Sequence, residues 1–330
     1  MLGCGSNGTT CATFVPSNNL ASALAAAASA APASLPDGAT IDSDTGVVSG
    51  ATLASMVIGV QNISIRVFIA PSWSLPNLRI TGADPIAFVA TGTIDVHGVV
   101  DVSSQQLGQS GAGADATSAC HGGDGKFGGA SGGGGGATAG GSGANSATGN
   151  GVGGAVAIGF EPLVGGCSGG GPNGDGGPGG GAIQLVSLDS VTIEGTLDVS
   201  GAGGGSNSND GGPGGGAGGQ IVIESPTVSI SSTGAVVGNG GGGAGGCAAI
   251  GHDGGATTAA AVGGSCADDS SGGNGGTGMI APTNGGSGGN GGGGGGAAGR
   301  ARIATRDGTA QQDSSAVISI AITADMLVPN

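Results

Sequence analysis

The sequence predicts an all-β protein: a right-handed parallel β-solenoid with an N-terminal capping helix and glycine-rich polyproline-II bundle insertions. Three observations predict it. Valine, isoleucine and threonine gather in short runs that end at Gly, Asp, Asn or Pro. A unit of about 20 residues recurs along the chain. Glycine supplies 84 of the 330 residues, and it is concentrated between the recurring units.

Residues 1–38 are expected to form an N-terminal segment and capping helix. Ser17, Asn18 or Asn19 can cap it, the alanine run propagates it, and Pro32 ends it. Residues 39–106 hold the first coils, with strands expected over Ile63–Ala70, Leu78–Thr81, Ile86–Ala90 and Thr93–Val96. The recurring unit is plainest in residues 86–104, 183–201 and 221–239, with a looser copy at 301–322. Each copy reads strand, turn, strand, turn, short strand, and Gly98, Gly195 and Gly234 fall at the same turn. Further coils are therefore expected at 182–200, 220–237 and 301–330. One such unit cannot bury its apolar face alone, so stacking on its neighbours completes the core. The helix is expected to cover the open N-terminal end, because an exposed strand edge invites aggregation.

Glycine-rich insertions occupy 107–181, 201–219 and 238–300. Gly171, Gly174, Gly177 and Gly180 recur every third residue, as do Gly285, Gly288, Gly291 and Gly294. Three residues per turn is the polyproline-II period, and a glycine row on one face lets neighbouring backbones approach closely. Flexible linkers share the composition, but cysteines bracket the larger blocks. The six cysteines, Cys4, Cys11, Cys120, Cys167, Cys247 and Cys266, form no C-x-x-C metal or redox motif. Their placement suggests local bridges 4–11, 120–167 and 247–266, which imply an oxidising compartment. Met1-Leu2-Gly3-Cys4 also resembles the end of a lipoprotein signal with Cys4 lipidated. Neither a basic nor an apolar region precedes it, so pairing with Cys11 is the preferred expectation.

Composition excludes several classes. Proline numbers 13, too few for collagen, which also needs an unbroken G-X-Y period. Charged residues are only 8%, whereas disordered chains are charge-rich and poor in aliphatics. The net charge is −15 with six basic residues, Arg66, Arg79, Lys126, Arg300, Arg302 and Arg306. Only the last three cluster, so the basic patch that nucleic-acid binding requires is missing. No apolar run is long enough for a membrane-spanning helix.

The segments DGATIDSDTG, ADPIAFVATGTIDVHGVVDVS, GGAIQLVSLDSVTIEGTLDVSGAGGG and GGQIVIESPTVSISSTGAVVGNGGGG resemble glycine-rich exported proteins of the myxobacterial type. The likeness covers most of residues 36–308, and its repeated I-x-G-x-(I/L/V)-D-V-S-G turn is the specific part. It implies an extracellular or cell-surface place and this architecture, and no chemical task. The helix followed by PDGATI resembles the N-terminal cap of pectin-lyase-like β-helices. The glycine triplets with cysteines resemble the polyproline-II bundle of snow-flea-type antifreeze proteins.

Catalytic candidates are few. Asp95, Asp101, Glu194 and Asp198 are the carboxylates of the repeat, and Asp101 and Asp198 are expected to stack on adjacent coils. Asp before a polar turn is also ordinary turn chemistry; the third copy has Val237 there, and no basic partner is evident. His97, His121 and His252 lack the converging ligands of a zinc site. GGDGKF (122–127) and GGNGGT (272–277) miss the last aspartate of a repeat-toxin calcium loop. Asp124, Asp175, Asp210, Asp253, Asp268 and Asp269 are left as scattered weak calcium candidates. The matches to G-x-G-x-x-G follow from glycine abundance and precede no helix.

The expected function is structural and non-enzymatic: a subunit of a surface coat, matrix or filament, self-associating through flat glycine-rich faces, with no cofactor or metal. Ice binding is a rival expectation, although no regular threonine rank is visible. A carbohydrate-binding or carbohydrate-active β-helix with a surface glycan partner is another. The lack of tyrosine and the single Trp73 weigh against it.

Overall fold

A computed structural model describes residues 14–106, 108–115, 117–126, 129–144, 149–171, 175–206 and 211–329. The chain is nearly all β, with parallel sheets. Helix α1 (Ala21–Ala27) comes first. It is followed by β1 (Ala39–Asp42), β2 (Val47–Val48), β3 (Ser55–Val60), β4 (Ile63–Ala70), β5 (Trp73–Leu75) and β6 (Leu78–Thr81). Next come β7 (Ile86–Ala90), β8 (Ile94–Val96), β9 (Val99–Asp101), β10 (Ala182–Ser187), β11 (Ser190–Ile193) and β12 (Thr196–Asp198). The rest are β13 (Gln220–Glu224), β14 (Thr227–Ile230), β15 (Ala235–Val237), β16 (Arg300–Thr305), β17 (Gln311–Gln312), β18 (Val317–Ser319) and β19 (Ala321–Met326).

The strands make three sheets, in the orders β18-β15-β12-β9-β6-β1-β2, β19-β16-β13-β10-β7-β4-β3 and β17-β14-β11-β8-β5. From β4 onward each strand pairs in parallel with the strand three places later. The recurring unit of the sequence is thus one strand in each sheet, and its repetition is a register. Phe68, Phe88, Leu185, Ile223 and Ile303 stand opposite one another on successive strands of the second sheet. Val96, Ile193 and Ile230 do so in the third, and Val100, Leu197 and Val236 in the first. These columns belong to one buried cluster that draws on all three sheets. Burial of each large aliphatic or aromatic side chain stabilises by about 2 kcal/mol. Trp73 fills the cluster edge-on to Phe88, with ring centroids 5.3 Å apart, and its Nε1–H donates to the Val89 carbonyl at 3.2 Å.

The alternate residues of the second sheet form a second cluster on its other face: Ile65, Val67, Ala87, Val89, Val186, Val222 and Ala304. Leu20, Ala23, Leu24 and Ala27 of the helical segment cover it. The helix does not cover the N-terminal edge expected for it from the sequence. The helix packs on the face of β4 and β7, while the N-terminal sheet edges carry β2 and β3, both paired antiparallel. The alanine stripe is too small to occlude an edge but fits a flat apolar face. The helix is also shorter than its alanine run. Leu20 occupies the N-cap with no side-chain hydrogen bond, because Asn18 and Asn19 adopt positive φ of 55° and 57° and point elsewhere.

Candidate functional site

Among the described residues the glycine runs carry no long strands, yet their backbones are closely knit. Gly151, Gly154 and Ala157 donate N–H to the carbonyls of Ala130, Gly133 and Gly136 at 2.8–3.0 Å. Gly212, Gly215 and Gly218 donate to Gly291, Gly294 and Ala297, each at 2.9 Å. Gly293, Gly296 and Gly299 donate to Ala244, Gly241 and Gly238, running the opposite way. Every set steps by three residues on both runs.

The triplet glycines lie inside this fabric. Gly177, Gly180, Gly291 and Gly294 are buried; Gly171, Gly285 and Gly288 are half-buried; Gly174 lies outside the described residues. A Cβ at Gly177, Gly180, Gly285, Gly288 or Gly294 would collide with the carbonyl oxygen of Ala202, Val199, Gly292, Asp268 or Gly141 respectively. Gly291 has φ +72°, which favours glycine independently. The glycine rows therefore serve packing within the chain. The outward positions carry side chains: Val152, Ala155 and Ile158 on one run and Ala259, Val262 and Ser265 on another are exposed at the same three-residue step.

Two disulfides fasten the runs. Cys120 bonds Cys167 and Cys247 bonds Cys266, with Cα–Cα distances of 5.6 and 5.9 Å. The proposed 4–11 bridge lies outside the described residues.

The carboxylates of the repeat are partly brought together. Asp101 and Asp198 are ladder partners on β9 and β12, with Val237 next in line. A basic neighbour not evident from the repeat stands beside them. Arg79, opposite Asp101 on β6, donates from Nη1 to Asp101 Oδ1 at 2.8 Å. The same oxygen accepts the Ser103 N–H and hydroxyl at 2.9 and 2.6 Å. Arg79 sits at the matching place of the preceding unit, LRIT, so alignment of that unit with the repeat would have found it. Asp198 is buried and accepts the Ser200 N–H at 2.9 Å. Burial pushes its pKa up to about 6, despite that hydrogen bond. Asp95 pairs with Thr192 and is exposed, as is Glu194, so neither joins the column.

A buried polar cluster under the N-terminal segment had no sequence signal, since its members are far apart along the chain. Glu224 accepts the Ser17 N–H at 3.0 and 3.2 Å, Gln184 Nε2–H at 2.9 Å and Arg302 Nη1–H at 3.3 Å. Arg302 reaches Asp325 through Nε at 3.0 Å. Burial raises the Glu224 pKa, opposed by Arg302 and the hydrogen bonds. Asn18 joins through Nδ2 to Gln184 Oε1 at 3.0 Å and accepts the Leu163 N–H at 2.9 Å.

The histidines stay apart. His97 faces the Ser74 hydroxyl, His121 lies 4.0 Å from Asp115, and His252 is exposed. Among the described residues no three His, Cys, Asp or Glu side chains are placed to hold a metal ion. Asp124 accepts Gly171 N–H, Asp253 accepts Gln106 and Gly203 N–H, and Asp268 accepts from Ser270, so these carboxylates act as loop fasteners. Asp210 lies outside the described residues. No described helix is long and apolar enough to cross a membrane.

These features define a β-rich, disulfide-bonded protein with parallel sheets and a hydrogen-bonded glycine body. Beyond that class, no protein-family model, curated protein or solved structure matches the chain.

Proposed function

We propose that this is an extracellular structural protein, a self-associating subunit of a surface coat, matrix or filament. Its frame reads as a β-solenoid whose insertions form a polyproline-II bundle. The observation that carries the reading is the three-residue period of the hydrogen bonds between glycine runs, which matches the polyproline-II repeat. Backbones fastened to one another at this density form a stiff plate. A plate with regular outward rows of small and aliphatic residues suits stacking against copies of itself. The stacking faces are those rows, with Val152, Ile158 and Val262 exposed at 70%, 89% and 58%, while the triplet glycines hold the plate together from within. Two disulfides support an oxidising, extracellular setting.

Electron microscopy of the purified native protein tests the reading. Filaments or sheets with a fixed repeat are expected, and Val262→Asp or Val152→Asp should disperse them. Monodisperse particles of the unaltered chain at high concentration would overturn it. The same rows favour a second reading, ice binding, since they are regular and uncharged; thermal hysteresis in dilute protein would establish it.

A further inference from the structure

A cleft opens between the β3–β4 turn, residues 117–120 and residues 156–164. Ile63, Val156, Ile158 and Val164 give it an apolar wall, and Arg300 is its one basic lining residue. In a chain of net charge −15 this arginine is unusual. Arg79 and Arg302 are each paired with carboxylates, and Arg66 with the Ser43 and Asp44 carbonyls. Arg300 has none of these. Its guanidinium carbon lies over the Phe160 ring, 5.4 Å from the centroid, and no acceptor is within hydrogen-bonding reach among the described residues. Burial lowers its pKa to about 10, which leaves it charged at neutral pH.

A second group on the same strand ladder lacks an acceptor. Gln220 is the register partner of Arg300. Its Oε1 accepts the Val164 N–H at 3.2 Å, but Nε2 is buried with no partner. An unsatisfied buried donor is costly, and a partly buried charge without a counter-charge is costly too. Of the two, Arg300 lines the cleft, where an anion would meet it.

We propose that this cleft binds a carboxylate-bearing small molecule, its carboxylate on Arg300 and its apolar body against Ile63, Val156 and Ile158. The guanidinium rests over the Phe160 ring without using its N–H donors, and its planar N–H fork matches a carboxylate in two parallel hydrogen bonds. Glu161 lines the exposed mouth and disfavours multiply charged anions. Sulfate and phosphate share the oxyanion chemistry but offer neither the planar edge nor an apolar body.

Titration calorimetry on the full chain tests this with three probes at constant ionic strength: hexanoate, glucuronate and inorganic sulfate. Saturable hexanoate binding is expected, stronger than that of glucuronate or sulfate. Arg300→Gln should weaken it roughly ten- to a hundredfold, the range of a lost charge-assisted contact. Ile158→Asp should weaken it by a similar factor; Ile158 is 89% exposed, so this variant folds and decides the matter if Arg300→Gln does not. Glu161→Gln should tighten binding. Absence of saturable hexanoate binding up to about 10 mM, or binding by both variants as tight as that of the unaltered chain, would overturn the proposal. Tighter binding of sulfate than of hexanoate would overturn the carboxylate assignment.

Discussion

In the sheets, Phe68, Phe88, Leu185, Ile223 and Ile303 fill the space between backbones with side chains. In the glycine runs the carbonyls of Ala202, Val199 and Gly141 stand where the side chains of Gly177, Gly180 and Gly294 would be. The first region is stabilised by apolar area removed from water. The second has little such area. It depends on hydrogen bonds, each of which contributes only about 1 kcal/mol net, against a glycine ordering entropy that is the largest of any residue. Density of hydrogen bonding and covalent closure must therefore do in the glycine runs what hydrophobic burial does in the sheets.

Substitutions can set the two regions against each other. The largest effect is expected in the sheets: Phe88→Ala leaves a cavity beside Phe68 and Trp73 and should lower unfolding free energy by about 3–5 kcal/mol in denaturant titration. Replacing Cys120 and Cys167 with Ser opens a closure spanning 47 residues and should remove about 4 kcal/mol on the chain-entropy account. Its loss should appear first as faster amide exchange in residues 117–171, with the sheet amides still protected.

Asp198 gives an effect of intermediate size with a defined sign. Its folded pKa is raised to about 6, above the ~3.9 of an unfolded aspartate. The folded state therefore holds the proton more tightly between those values, and stability falls as pH rises from about 4 to about 6, by up to about 3 kcal/mol. Asp198→Asn should flatten that part of the stability–pH curve. The smallest effects separate two glycines. Gly294→Ala meets the Gly141 carbonyl and should cost about 1–3 kcal/mol. Gly255→Ala meets nothing within 4 Å and should stay within about 0.5 kcal/mol. Equal costs at the two sites would remove the argument that glycine is required for close backbone approach.

The sheets were legible in the sequence because strand signals are local. Residues 86–104, 183–201 and 221–239 each map onto one strand per sheet, and the Asp101–Asp198 stacking follows from that alignment. The two described disulfides followed from cysteine placement. The helix position was not legible, because an alanine stripe fits an edge or a face equally well until Ile65, Val67 and Val89 define the face. The Glu224 cluster was hidden because Gln184, Glu224 and Arg302 meet only once β10, β13 and β16 pair in parallel, and Ser17 reaches them from the far end of the chain. Arg300 looked like one member of a basic trio; folding sends Arg302 to Glu224 and leaves Arg300 facing a cleft.

The step of three along residues 151–158 has a consequence for how the chain can vary. Gly151, Gly154 and Ala157 face inward and donate to a neighbouring run, whereas Val152, Ala155 and Ile158 look outward. A saturation scan of this stretch should give a tolerance profile shaped like a comb with three-residue teeth. Along β11, where Val191 and Ile193 are buried between half-exposed neighbours, the teeth should stand two residues apart. The run can thus change its surface at Val152, Ala155 and Ile158 while Gly151 and Gly154, where a Cβ would meet a carbonyl, stay fixed.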